Sequence, residues 1–547
     1  MLSEFNPEEI QDLGGARQAI AALLNLVEEL QQENQALRAE VQKLRDEVNR
    51  LKGEQGKPDI KPNKPKESDH SSEKERRKPK QWRKGNKVNR IRIDRDEMLK
   101  VDKSVLPEDA EFKGYEEVVV QDIRLTTDNV CFAKEKYYSP SQGRTYLAPL
   151  PAGYVGEFGP GVRSLILTLY YASGMTEPKI EEFLEHIGIF ISDGQVSNLL
   201  IKGQEQWHEE KEAVWQAGLA STEWQHIDDT STRVNGENQH CHIVCNPYYS
   251  AYFTRPGKDR LSVIQILQGG DSLDFLLNQE TASWLDLLNT PMWVQQQMAN
   301  WPQGQVLTRA QMNALLMPDV AGRLNQQQQA RILEAAALTA YHEQDETPVI
   351  SILLSDDAAQ FQHITQQQAL CWIHEGRHYK KLTPFVEYHQ QLLDGFQTQF
   401  WGFYHQLQDY RDAPSSSQAD RLRADFEKLF RTTTGYEALD RRIAMTLAKQ
   451  ERLLLVLDQP QVPLHNNPAE LAVRQRVRKR DISFGPRTDD GVAAWDTFNT
   501  LSETAKKLGV SFYAYIHDRV SDLREMPSLA SLIQQHTYSA AQEMAPS

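Results

Sequence analysis

The stretch Val349-Ile-Ser-Ile-Leu-Leu-Ser-Asp356-Asp357 is an almost unbroken apolar run that ends in two acids. Such a run is the pattern of a strand buried on both faces, as in sheets covered by helices on either side. Upstream, Trp224-Gln-His-Ile-Asp228-Asp229-Thr230 also reads as a strand ending in carboxylates. Two further strand patterns follow it, His240 to Asn246 and Ser250 to Arg255, with turn residues between them. Downstream, Leu464-His-Asn-Asn-Pro468-Ala-Glu470-Leu-Ala-Val-Arg474 opens a helix, with Asn467 as a cap and Pro468 at the first helical position. Two strands ending in Asp, and a later helix carrying Glu, predict an α/β core that gathers Asp228 or Asp229, Asp356 or Asp357, and Glu470 at one site.

Carboxylates on rigid elements suit a two-metal nuclease. Hard magnesium ions take oxygen ligands in near-octahedral geometry. Two of them close together stabilise both the attacking and the leaving oxygen of an in-line phosphoryl displacement. The protein then contributes mainly positioning and charge neutralisation. Taken singly, each acid has a plain structural reading: Asp ends strands as a turn former, and Glu in a first helical turn favours the helix dipole. Their order along the chain and the motifs around them favour the catalytic one.

At 547 residues the chain exceeds a single compact core, and its 39 % hydrophobic and 25 % charged residues make an ordinary soluble balance. No apolar run reaches membrane-spanning length, and the start, Met1 to Asp12, is acidic rather than a basic leader, so neither a membrane nor export is expected. Cys131, Cys241, Cys245 and Cys371 are too scattered for a disulfide framework, which points to a reducing, cytoplasmic setting. A net charge of −15 argues against nucleic acid on average, but the average hides segregation. Arg76, Arg77, Lys80, Arg83 and Lys84 fall in one basic segment, and Arg474, Arg478 and Lys479 in a second after Glu470. Local patches make a phosphate-binding surface, and these residues are the candidate DNA contacts.

Residues 1–52 carry a heptad. Val27, Asn34, Val41 and Val48 fall at a, and Leu23, Leu30, Leu37, Leu44 and Leu51 at d. β-branched a with Leu d favours a parallel two-stranded coil, and one Asn at a fixes its register. Glu33, Glu40 and Glu47 at g are matched by Arg38, Arg45 and Lys52 at e, so a dimerising coiled coil, in a homodimer or higher oligomer, is expected. Residues 53–90 are rich in Pro, Lys, Ser and Glu and read as a basic disordered tether, in which Trp82 is suited to stacking on a base. In 91–158, runs at Tyr115 to Val120, Asp122 to Leu125 and Val130 to Tyr138 suggest a small β-rich unit. Residues 159–221 read as helices, with Ile180 to Ile187, a turn at Gly188 and a helix ending at Ile201 in helix-turn-helix proportions. The same spacing also occurs in ordinary helical bundles. The catalytic domain is expected over 222–500, with a Gln- and Leu-rich helical insertion at 271–346, and a helical tail over 501–547.

Several motifs resemble the DDE transposases of the insertion-sequence 66 family. His226-Ile-Asp228-Asp229-Thr230 matches that family's His-x-Asp-Glu-Thr, with Asp229 in place of Glu. Asn466-Asn467-Pro468-Ala469-Glu470, followed by Arg474, matches its Asn-Asn-Pro-Ala-Glu-Arg helix, and Cys371-Trp372-Ile-His374 its Cys-Trp-x-His segment. Glu503-Thr-Ala-Lys506, Gly509-Val510 and Tyr513-Ala-Tyr515 match its tail. The resemblance implies a ribonuclease-H-like mixed sheet with flanking helices. It places the metal-binding catalytic triad on Asp228, Asp356 and Glu470, with Asp229 and Asp357 as neighbouring alternatives. It implies magnesium, with manganese as a substitute, and DNA partners: transposon ends read as terminal inverted repeats, and a target that is cut and joined. Small accessory proteins and a nucleoid-associated location go with it. The alternatives are an inactive or regulatory DNA-binding relative and a nuclease without strand transfer. Cys371 and His374 are accessory candidates, structural rather than ligating. Only Cys131 stands where relatives carry a cysteine knuckle, so no zinc is expected; His465 replaces an Asp, and the spacing from Asp228 to Asp356 is wide.

Overall fold

The protein is described here by a computed structural model covering residues 12–51 and 91–544, apart from positions 108, 155, 270–271, 317–323 and 346. The tether expected at 53–90, with Arg76, Arg77, Lys80, Arg83 and Lys84, lies outside the described residues, as does Lys52.

The heptad forms one long helix, α1 (Leu13–Leu51). Over 91–158 the expectation of a β-rich unit is corrected. Tyr115 to Val120 and Asp122 to Leu125 form no strands, and the pairing there is a small hairpin, β1 (Lys136–Ser139) with β2 (Arg144–Leu147). Val118, Val120 and Ile123 have strand-forming side chains but stand exposed, and strand propensity expresses itself only on a surface that neighbours can cover. Helices α2 (Pro160–Leu167), α3 (Glu177–His186), α4 (Asp193–Ile201) and α5 (Glu205–Ala220) lead into the sheet, with a π-helical turn at Thr168–Ala172.

Three strands follow in sequence, β3 (Trp224–Val234), β4 (Glu237–Cys245) and β5 (Ser250–Arg255). Asn235 and Gly236 both take positive φ between β3 and β4, the two-residue hairpin turn that Asn-Gly favours. Helix α6 (Arg260–Gln268) then opens a helical excursion: β6 (Phe275–Leu276), α7 (Gln279–Leu287), α8 (Met292–Met298), β7 (Val306–Leu307), α9 (Arg309–Leu315) and α10 (Gln326–His342). The chain returns through the apolar run as β8 (Ile352–Ser355) and β9 (Gln367–Leu370). The sheet order is β5-β4-β3-β8-β9, antiparallel through β5, β4 and β3 and parallel from β3 to β8 to β9.

After β9 come α11 (Trp372–Lys380), α12 (Glu387–Asp412), α13 (Ser416–Phe430), α14 (Glu437–Leu447) and α15 (Gln450–Leu453), which build their own aromatic core. Trp372 lies at its centre against Phe400, Phe403 and Phe426. The chain then re-enters the sheet layer with α16 (Asn467–Ser483) and α17 (Asp489–Lys507), and ends in α18 (Phe512–Val520) and α19 (Leu529–Met544).

One apolar core runs from Ile166 in α2, through Ile227 on β3 and Phe498 on α17, to Ile533 in α19. The segments 159–221 and 501–544 therefore pack into the same body as the sheet rather than standing as separate units. Helix α17 closes the β5 edge: the amides of Ser250, Tyr252 and Thr254 donate to Thr504, Thr500 and Asp496, residues spaced four apart on one helix face.

Candidate active site

Parallel pairing of β3 and β8 aligns Trp224 with Ile352 and His226 with Leu354. Two residues further along the same register, Asp228, within β3, lies level with Asp356, just past the end of β8. The expected strand end at Asp228 is corrected, because pairing with β4 carries β3 on to Val234. Asp228 Oδ1 accepts from the Asp229 amide at 2.8 Å, and Asp356 Oδ1 from the Ala358 amide at 3.1 Å. Helix α16 packs on β3 and β4 and carries Glu470 in its first turn.

The start of α16 is pinned to β3 by one buried side chain. Asn466 Nδ2 donates to the Ile227 carbonyl at 2.8 Å, and its Oδ1 accepts from His226 Nδ1 at 2.9 Å. Its own amide donates to Cys371 Sγ at 3.2 Å. His226, Asn466 and Cys371, drawn from three separate motifs, thus meet at one point next to Asp228. Burial pushes the His226 imidazole down to about 3 and the Cys371 thiol up to about 12, so the ring is neutral and the sulfur stays a thiol.

Burial pushes Asp228 up to about 7 against the Asp229 amide bond that favours its charge, and the carboxylates of Asp356, Asp229 and Glu470 add to the rise. The neighbouring acids have partners of their own. Asp357 bonds Lys449 and Arg452, each at 2.8 Å, and these cations hold its carboxyl below the ordinary range despite burial. Lys449 also pairs with buried Glu375, which Arg442 and Thr446 bind as well. Asp229 Oδ2 accepts from Gln360 Nε2 at 2.8 Å.

Across from α16, α11 presents Arg377, which donates from Nη1 and Nη2 to the two oxygens of Glu470, each at 3.1 Å. His374 Nε2 lies 3.1 Å from Arg377 Nη1 and 3.5 Å from Glu470 Oε1. Among the described residues no cluster of three His, Cys, Asp or Glu side chains is gathered closely enough to grip a metal ion as they stand, and Glu470 is turned toward Arg377. A cleft of about 400 Å³ opens beside Asp356, with Arg377, His378, Lys381 and Lys449 in its walls.

Comparison with known proteins follows the same landmarks. The family described as "Transposase IS66 family" matches residues 156–275 and 325–494, more than half of the chain. The chain belongs to the IS66 family of transposases. It is also 30 % identical over 322 residues to the Uncharacterized protein y4jO of Sinorhizobium fredii (strain NBRC 101917 / NGR234), an overlap of 58 % of this chain and 98 % of that protein. The break in the IS66 match, between 275 and 325, falls inside the helical excursion after α6. The expected insertion at 271–346 overlaps that break, and α10 lies within the matched part. Both parts are packed into the common core, Leu285, Val294 and Met312 of the unmatched stretch as well as Ala335, Ala336, Leu338 and Tyr341 of α10.

In this member of the IS66 family the basic residues after Glu470 divide between two faces of α16. Arg474 and Arg478 are exposed on the face that carries Glu470, at spacings of four. Lys479, expected at the DNA, is instead buried. Its ammonium donates to the Tyr170 carbonyl at 2.6 Å and lies over the Tyr170 ring, and burial pushes it down to about 7. Arg476 is likewise buried, bonded to Thr254 and Asp496. The period of α16 explains the split: Ala469, Ala472, Arg476 and Lys479 share the inward stripe. Within the helix-turn-helix-like region, α4 exposes Asp193, Gln195 and Asn198, and its sequence holds no Lys or Arg. Val196 and Leu200 anchor its other face in the core.

Sequence reading missed Arg377, Lys449 and Arg452. The available signal for Arg377 was its position three residues after His374, on the same helix face. Lys449 and Arg452 sit between recognisable motifs, and only tertiary packing brings them to Asp357.

Proposed function

We propose that the chain is a DNA transposase that cuts transposon ends and joins them to target DNA with a ribonuclease-H-like DDE centre of Asp228, Asp356 and Glu470. The observation that carries this reading is the convergence of Asp228 and Asp356 from adjacent parallel strands with Glu470 from a helix pinned beside them. The strand layout, three antiparallel and two parallel, supports the ribonuclease-H-like assignment. Commitment of Asp357 to Lys449 and Arg452, and of Asp229 to Gln360, supports Asp356 and Asp228 as the members of the triad.

The donor set suits magnesium or manganese: all-oxygen, carboxylate-rich, and so poorly compensated that burial, with the neighbouring carboxylates adding to it, pushes Asp228 up. Asp228, Asp356 and Glu470 would hold the metal ions, which supply Lewis-acid stabilisation of the attacking and leaving oxygens. The chain's own cations serve the substrate. Arg474 and Arg478 lie exposed on the Glu470 face, where they hold backbone phosphates. Arg377 and Lys381 line the cleft beside Asp356 and guide the strand toward it. The α1 heptads pair two copies, as joining two transposon ends requires.

Purified protein incubated with a transposon-end duplex and Mg²⁺, with products mapped at nucleotide resolution, tests the proposal. Cleavage at the end, followed by joining of the freed 3′ hydroxyl to a second duplex, is expected. Asp228→Asn, Asp356→Asn and Glu470→Gln should each abolish it while DNA binding persists. Cleavage without joining would leave a nuclease and remove the transposase reading.

A further inference from the structure

Helix α1 has two differently employed faces. Its heptad stripe is open: Leu23, Val27, Leu30, Leu37, Val41, Leu44 and Val48 are all exposed. Its back face is engaged with the helical unit that follows β9. Asn25 Nδ2 donates to the Gly435 carbonyl at 2.9 Å, and its Oδ1 accepts from the Glu437 amide at 3.1 Å. Glu28, 3 % exposed, accepts from the amides of Phe385 at 2.7 Å and Val386 at 3.0 Å, and lies 3.2 Å from His389 Nδ1. His389 stacks on Tyr436, with ring centroids 4.2 Å apart.

These contacts are helix caps supplied from far away in sequence. Asn25 serves the first residue of α14, and Glu28 puts a carboxylate at the amino end of α12, where free amides and the helix dipole favour an anion. Both helices share the aromatic core that seats α11, the bearer of Arg377. In heptad terms Asn25 is at f and Glu28 at b, opposite the a and d stripe. Past Glu28 the helix carries its stripe to Leu51, ~35 Å at 1.5 Å per residue.

We propose that α1 is a bracket: its back face is clamped to the helical unit through Asn25 and Glu28, while its open stripe takes the α1 of a second copy. The dimer then holds its two catalytic bodies at a defined separation instead of letting them swing on a linker. The occupant is a second copy because the stripe is self-complementary. Val at a meets Val at a and Leu at d meets Leu at d, Asn34 supplies one register-fixing polar layer, and Glu33 and Glu40 at g oppose Arg38 and Arg45 at e. The inference rests on the dimer of the proposed function but not on its chemistry.

The test reads geometry without DNA. Full-length protein carrying Cys131→Ser and Ser417→Cys is spin-labelled on α13, and its mass and inter-label distances are measured. A dimer with one narrow distance distribution is expected. Asn25→Ala with Glu28→Ala should keep the dimer mass and broaden the distribution, with the circular dichroism of the body unchanged. Leu30→Glu with Leu37→Glu should give a monomer whose α1 amides near Asn25 and Glu28 stay protected from hydrogen exchange. A monomeric parent, a broad parent distribution, or a narrow one that survives the clamp substitutions would each overturn the bracket. So would loss of the dimer with the clamp alone. None of these readings uses cleavage, so the bracket and the transposase reading fail separately.

Discussion

Arg377 and Glu470 meet as a two-pronged pair, Nη1 to Oε1 and Nη2 to Oε2, each at 3.1 Å, between helices α11 and α16. Such forked, charge-assisted bonds are among the stronger polar contacts proteins make. The pair neutralises the acid of the most specific motif, so a cation reaching Glu470 must displace the guanidinium. Arg377→Ala should tighten Mn²⁺ binding by about three- to tenfold, within ~1.4 kcal/mol, as read by calorimetry or electron paramagnetic resonance. Cleavage should nonetheless fall, because the cleft loses a phosphate contact. Unchanged Mn²⁺ affinity would mean the pair does not gate the site.

Asp356 and Asp357 are adjacent in sequence and opposite in employment. Asp357→Asn strips a partner from Lys449 and Arg452 and should cost about 1–3 kcal/mol in urea unfolding, since a partly buried pair loses one charge. Asp356→Asn should leave stability nearly unchanged and abolish cleavage. The reverse pattern would exchange their roles.

Asn466→Ala removes two buried bonds that tie α16 to β3 and leaves the Ile227 carbonyl and the His226 ring without them. About 1–3 kcal/mol of stability should be lost. At temperatures where the variant stays folded, cleavage should drop while DNA affinity holds. Equal loss of both would point to general unfolding.

On α16, Arg474→Ala and Arg478→Ala should each weaken binding to DNA of any sequence and lower the salt slope by about one. Lys479→Met should leave DNA affinity and slope unchanged, because its ammonium is occupied at Tyr170. Band-shift titrations at several salt concentrations separate the cases.

Burial raises the Glu28 carboxyl, but the Phe385 and Val386 amides and His389 outweigh it and hold the group below its ordinary range. A depressed acid stabilises the fold fully above its unfolded value, about pH 4.3, and loses that contribution as pH falls through the lower folded value. Hydrogen exchange of the α1 amides around Glu28 should therefore stay slow from neutral pH down to about 4.3 and quicken below it, after correction for intrinsic rates. In Glu28→Gln that acid-dependent step should vanish.

The strands and the helix that carry the three acids were legible because each has a strong local pattern: an apolar run before Asp356, a strand before Asp228, an Asn-Asn-Pro start before Glu470. Their neighbours were not. Lys479 resembles Arg478 in sequence, and only the period of α16, with Ala469 and Ala472 on the inward stripe, separates them. The run at Val118 to Val120 has strand propensity without a surface to cover it. The heptads of α1 were plain, but the caps made by Asn25 and Glu28 depend on contacts more than 350 residues away. No local pattern could carry them.

The row of Asp496, Thr500 and Thr504 along β5 also bears on how copies of this protein can meet. An uncovered outer strand is a template on which another chain can extend the sheet, and it is where many β proteins aggregate or exchange segments. Here the outward amides of Ser250, Tyr252 and Thr254 are already spoken for by helix side chains. Strand addition at that edge is closed, so a second copy cannot extend the sheet through β5.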